Sequence, residues 1–234
     1  MFSFSLTVLS SAIAALTFFI SGLSVLFAWR RQRMPYLKSS ATFFIIFGFQ
    51  LLFISLAMGL FSTESRINIG LWLVGYMLMF IGISYFVRFV VQIRFPYLGL
   101  TRIVFSLMIF LSLISLTILS LNAAEMDCYF TEQGIHKFRV PLMSSITIGV
   151  FTVIGFLPSL TLLIGGILTI KSRFVKIRFL ILILGFLMLA TGGSMHNFIE
   201  APFWYFLANS LLIIGSVMML LGIYLRRFLR VEQN

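Results

Sequence analysis

A chain of 234 residues that is 61% hydrophobic and only 10% charged, with a mean hydropathy of +1.12, is not a water-soluble globule, which carries about 25% charged and about 45–50% apolar residues. Five prolines and the lack of any short repeat exclude a collagen-like or disordered chain. The net charge of +11 reads as membrane orientation, not nucleic-acid binding. At about 30 residues per span and loop, the length holds six to eight membrane helices and no soluble catalytic domain beside them.

The predicted fold is an all-α polytopic membrane protein, one domain over residues 1–234, with seven transmembrane helices. Lys and Arg are costly in hydrocarbon and so mark the span ends. Between them lie apolar runs at 4–29, 41–62, 69–91, 103–123, 141–170, 179–195 and 203–225. Each is long enough to cross about 30 Å of hydrocarbon at about 1.5 Å per residue. Period-2 alternation, the mark of a membrane β-barrel, is missing. The first run lacks a basic start and is too long for a signal-peptide core, so it is expected to be a retained helix.

Charge sets the orientation. Of the 17 Lys and Arg, only Arg66, Lys137 and Arg139 fall in one set of connections, leaving fourteen in 30–38, 88–102, 171–178 and the tail after Leu225. The first set takes Glu64, Glu125, Asp127, Glu132 and Glu200, five of the six acids. The positive-inside rule then puts the N-terminus outside and the C-terminus in the cytoplasm. Trp72, Trp204 and Tyr205 begin outward ends, and Trp29, Tyr36, Tyr97 and Tyr224 close inward ones, as an aromatic belt requires. Residues 125–139, the only sizeable outer loop, mix acids, aromatics and a glycine turn; they read as a solvated connector capping the bundle or, more sharply, as a ligand or partner epitope.

Polar groups inside spans are default site candidates. Gln50, Tyr76 and Asn209 are the intramembrane ones. For Gln50 and Asn209 the plain expectation is an interhelical hydrogen bond, and the sharper one a ligand contact. Ser and Thr in the first, fourth and fifth helices bond to their own preceding turn and are read as packing. Arg88, on the last turn of the third span, is read as snorkelling to headgroups. At the outer end of the sixth span, residues 192–202 read GGSMHNFIEAP. If the helix persists, His196 and Glu200, with Asn197 between them, form a candidate outer-face ligand site, since i and i+4 share a face. The plainer reading is a helix cap with the imidazole at the negative helix end. Lys171, Arg173, Lys176, Arg178, Arg226, Arg227 and Arg230 form a candidate cytoplasmic basic patch for anionic lipid or an acidic partner.

Several chemistries find no residues. Lys38, Lys137, Lys171 and Lys176 all lie in connections, so no span carries a retinal Schiff-base lysine. His136 and His196 are the only histidines and sit outside or at the boundary, which argues against haem held between helices. Cys128 is the only cysteine and forms neither an internal disulfide nor a thiolate metal cage. With no intramembrane carboxylate, HExxH or GxSxG, no enzyme, cofactor or metal is expected.

The topology, the segments FGFQLLFISLAMGL and IGLWLVGYMLMFIGISYFVRF, and the last helix LANSLLIIGSVMMLLGIYLRRF resemble the seven-helix sensor module of prokaryotic histidine kinases. No kinase follows Leu225 here. The resemblance implies a stand-alone sensor or receptor-like protein of the cell membrane that acts through a separate protein. An accessory or assembly subunit of a larger membrane complex is the alternative, and a small-molecule transporter the third. The small 3+1+3 sugar transporters share the topology, but their Pro-Gln signatures are missing. Expected partners are the bilayer, anionic lipids at the cytoplasmic face and one unidentified protein, with no nucleic acid.

Overall fold

A computed structural model describes residues 6–60, 66–95, 98–130, 136–198 and 202–229, with the backbone alone at several element ends, including 196–198 and 226–229. Its helices are α1 (Leu6–Gln32), α2 (Pro35–Leu60), α3 (Arg66–Arg94), α4 (Leu98–Leu121), α5 (Leu142–Thr169), α6 (Arg173–Phe198) and α7 (Pro202–Leu229). All seven are long and apolar enough to cross a membrane, as expected of a multi-pass membrane protein.

At the basic end six of the seven helices outrun the apolar runs, all but α5, because terminal charges stay helical where the side chain meets water or headgroups. α6 begins at Arg173, six residues before the apolar stretch at Phe179. Between α1 and α2 only Arg33 and Met34 intervene. Arg33 takes a left-handed conformation (φ 54°), and its N–H caps α1 on the Trp29 carbonyl at 2.7 Å. Pro35 then opens α2, where its fixed φ suits the first helical position and its missing N–H costs nothing.

The α4–α5 connector is a correction to the loop expected there. After a short 3₁₀ turn (Ala123–Glu125), β1 (Asp127–Phe130) pairs antiparallel with β2 (His136–Arg139), with Asp127 opposite Arg139 and Cys128 opposite Phe138. Alternation does the work: Met126 and Cys128 are buried while Asp127 is exposed.

α1, α2 and α3 pack in sequence, α5 adjoins α3 and α6, and α7 lies between α6 and α1, closing a six-helix ring; α4 sits outside against α3 and α5. The α6–α7 seam brings backbone against backbone. A methyl group on Gly185 would lie 2.8 Å from both the Gly215 carbonyl oxygen and the Met219 nitrogen, and one on Gly192 would lie 2.7 Å from the Ala208 carbonyl. The spacing is seven residues on each side: Gly185 and Gly192 on α6, Ala208, Gly215 and Gly222 on α7. That period keeps one small-residue face on the partner along the whole crossing.

Phenylalanine fills the middle of the ring. Phe18 of α1 stacks on Phe47 of α2 at 5.9 Å, and Phe43 of α2 meets Phe86 of α3 at 5.3 Å. Phe86 lies parallel to Phe186 of α6 (4.9 Å, 4°), which Phe156 of α5 meets edge-on at 4.9 Å. α4 and α5 instead turn much of their length outward, with Ile103, Leu107, Phe110, Val153 and Leu157 exposed; hydrocarbon satisfies such a face.

Candidate functional site

One group of buried polar side chains gathers at the end of the bundle nearest the hairpin. Asn209 of α7 is fully buried, and its amide nitrogen donates to Ser10 Oγ at 2.8 Å and Ser11 Oγ at 3.2 Å on α1. Ser10 passes its own proton back to the Thr7 carbonyl at 3.0 Å. One turn nearer the hairpin end, the Tyr205 hydroxyl donates to Met58 Sδ of α2 at 3.2 Å and also interacts with Ser11. Tyr205, Met58 and Ala208 form a small buried cluster bordered by Val8, Ile54, Trp72 and Met195. Five helices, α1, α2, α3, α6 and α7, therefore meet around Tyr205.

The hairpin covers one side of this cluster. Phe138 of β2 lies parallel to the Trp72 ring at 5.2 Å (1°), and Tyr76 sits 6.1 Å from the same phenylalanine. Burial pushes the neighbouring Cys128 thiol up to about 11, with the Asp127 carboxylate adding to the shift. A buried, protonated thiol fits a packing role.

Two polar atoms at the cluster are buried without a hydrogen-bond partner among the described residues: Asn209 Oδ1, an acceptor, and Trp72 Nε1, a donor. A buried donor or acceptor left unmade costs about 1–3 kcal/mol. Each is therefore an open hydrogen-bonding position within the helix contacts.

Among the sequence candidates, Asn209 makes the expected interhelical bonds. Gln50 does not: its buried Oε1 has no partner. Tyr76 joins the aromatic cover as described. His196 and Asn197 fall on the last turn of α6, which extends to Phe198, but their side chains and the whole of Glu200 lie outside the described residues. Among the described residues, no three of His, Cys, Asp and Glu come together to hold a metal.

At the opposite, basic end, Lys171, Arg173 and Lys176 are exposed, in keeping with a patch. Arg178 departs from it. It is buried, its Nε donates to the Gly222 carbonyl of α7 at 2.8 Å, and its guanidinium lies 5.8 Å from the Tyr36 ring of α2. Arg178 therefore ties three helices together. Arg226 and Arg227 lie within the last turns of α7, with side chains outside the described residues, as is Arg230. Tyr224 donates to the Ser24 carbonyl at 2.6 Å, so the α1–α7 seam has a polar clasp near each end.

Sequence reasoning missed Ser10, Ser11, Met58 and Trp72 as members of one site. It also missed Gln92, which accepts from Ser39 at 2.8 Å between α2 and α3. The signal for Gln92 was present, a polar residue next to a span end, but the helix was drawn to stop at Val91. Compared with protein-family models the chain matches none, and compared with curated proteins it likewise matches none.

Proposed function

We propose that the protein is a seven-helix membrane sensor, with its hairpin end and N-terminus outside and its basic end and C-terminus in the cytoplasm. It takes a small neutral ligand at the Asn209–Tyr205–Trp72 cluster and reports to a separate protein through the cytoplasmic ends of its helices. The observation that carries this reading is the pair of unsatisfied buried atoms, Asn209 Oδ1 and Trp72 Nε1, in a cluster where five helices converge. A ligand satisfying both would link α7 to α3, and α7 reaches the basic end. The phenylalanine-packed middle supports this reading over a transporter, whose substrate needs a polar route across the midplane.

An accessory subunit of a larger complex is the second reading, favoured by the outward apolar faces of α4 and α5. Spin labels at Gln32, the last residue of α1, and Ser172, just before α6, separate the two in a Cys128→Ser background. In the sensor, the interlabel distance differs between protein purified with its endogenous small molecules retained and protein stripped of them. Asn209→Leu removes that difference. Identical distances in all three preparations, with the chain migrating in a stoichiometric complex, would transfer the function to the accessory subunit.

A further inference from the structure

The α3–α4 seam at the basic end carries a charge that the sensor reading does not use. Arg88 lies six residues, or about 9 Å along the helix, before Arg94. On α3 its Cα–Cβ bond tilts back toward the helix N-terminus, away from the headgroups at the basic end, so snorkelling is not its easiest course. Its guanidinium instead sits 4.6 Å over the Phe105 ring of α4, and Tyr85 packs on the same ring at 5.0 Å. Arg88 Nε is buried and has no hydrogen-bond partner among the described residues. The described carboxylates, Glu125 and Asp127, are at the other end of the bundle. Arg102 of α4 is exposed and stands one turn from Phe105, on the same face and toward the basic end.

Arg88 is half-buried, and a guanidinium that lies over an aromatic ring with its buried Nε–H unmade has an unsatisfied donor. Two arginines on adjacent helices, staggered in depth at a lipid-facing seam, match a phosphodiester that enters from the headgroup layer. The geometry points to a binding site for an anionic glycerophospholipid between α3 and α4. Its phosphate accepts from Arg88 and Arg102, and its acyl chains lie along the outward apolar face of α4, past Ile103 and Leu107. This differs from the diffuse attraction of lysines and arginines to a charged surface, because the acceptor is held below the headgroup plane by named groups.

The test is native mass spectrometry of the full chain in detergent micelles titrated with phosphatidylglycerol. Wild-type protein retains one molecule, and phosphatidylcholine competes poorly. Arg88→Gln and Arg102→Gln each weaken retention about tenfold, the size expected for loss of a charge-assisted hydrogen bond. Arg173→Gln, an exposed charge at the start of α6, leaves it unchanged, and millimolar inorganic phosphate does not displace the lipid. Arg102 is on the surface, so its variant reads the site even if Arg88→Gln fails to fold. Equal retention by wild type and Arg102→Gln would overturn the site, as would an equal loss in Arg173→Gln. Displacement by inorganic phosphate would overturn the lipid as its occupant.

Discussion

Gly185→Leu should leave little folded protein, while Gly165→Leu should be nearly silent. Both changes give a helix the same gain in propensity, about 1 kcal/mol over glycine, so that contribution cancels. The surroundings differ. The first side-chain carbon at 185 would meet the Gly215 carbonyl and the Met219 amide nitrogen, backbone atoms of a packed helix, whereas at 165 nothing lies within 4 Å. A flexible side chain could swing aside; a backbone cannot, so α6 and α7 must separate. Overpacking costs about 1–3 kcal/mol where neighbours can shift, and here the figure sits at or above the upper end. Size-exclusion profiles and thermal unfolding of the two variants in one detergent check this. Matching profiles would mean that the α6–α7 seam is looser than the glycine spacing requires.

Phe86→Ala is expected to cost about 2–3 kcal/mol. Truncating a core phenylalanine in a soluble protein costs about 3–5 kcal/mol, which combines transfer from water with the cavity left behind. In a bilayer the unfolded helices also sit in hydrocarbon, so most of the transfer contribution vanishes and lost packing remains. Phe86 is 1% exposed and touches rings from α2, α5 and α6, so no single neighbour can close the gap. Phe110→Ala, on the outward face of α4, should cost under about 0.5 kcal/mol, as surface substitutions do. Steric-trap or denaturant unfolding in bicelles measures both. Equal costs would contradict a core built on Phe86.

The number of helices was legible because hydrocarbon enforces it. A span must be apolar throughout, and a charge must sit at its end, so seven apolar runs flanked by Lys and Arg leave little freedom. Helix ends were less legible because hydropathy registers where a helix leaves the hydrocarbon, not where it stops. Lys176 and Arg178 are inside α6, and one of them is buried.

Rotation and partnership explain most of what was missed at the site. Gln50 and Asn209 were singled out on identical grounds, as amides within spans, and met opposite fates. Asn209 faces Ser10 and Ser11, 199 and 198 residues away, and no local pattern encodes such a pairing. Ser10 does bond back within its own helix, as expected of membrane serines, yet its oxygen also accepts from Asn209. Self-satisfaction and bridging are not exclusive, because a hydroxyl has two acceptor sites as well as one donor. The hairpin was obscured by its size: four-residue strands among charges carry too little alternation to stand out. The seven-residue glycine spacing of α6 and α7 was in plain view, and its meaning required knowing that the two helices touch.

The proposed outward position of the Asn209 cluster and inward position of the basic end both depend on one proposal, that the chain's termini lie on opposite sides of the membrane with the N-terminus outside. Single cysteines introduced at Ser3 and Gln233, each in a Cys128→Ser background and probed on intact cells with a membrane-impermeant maleimide, test it directly. The account predicts labelling at Ser3 and protection at Gln233 until the membrane is permeabilised. Labelling at Gln233 with Ser3 protected, or labelling of both before permeabilisation, would contradict it.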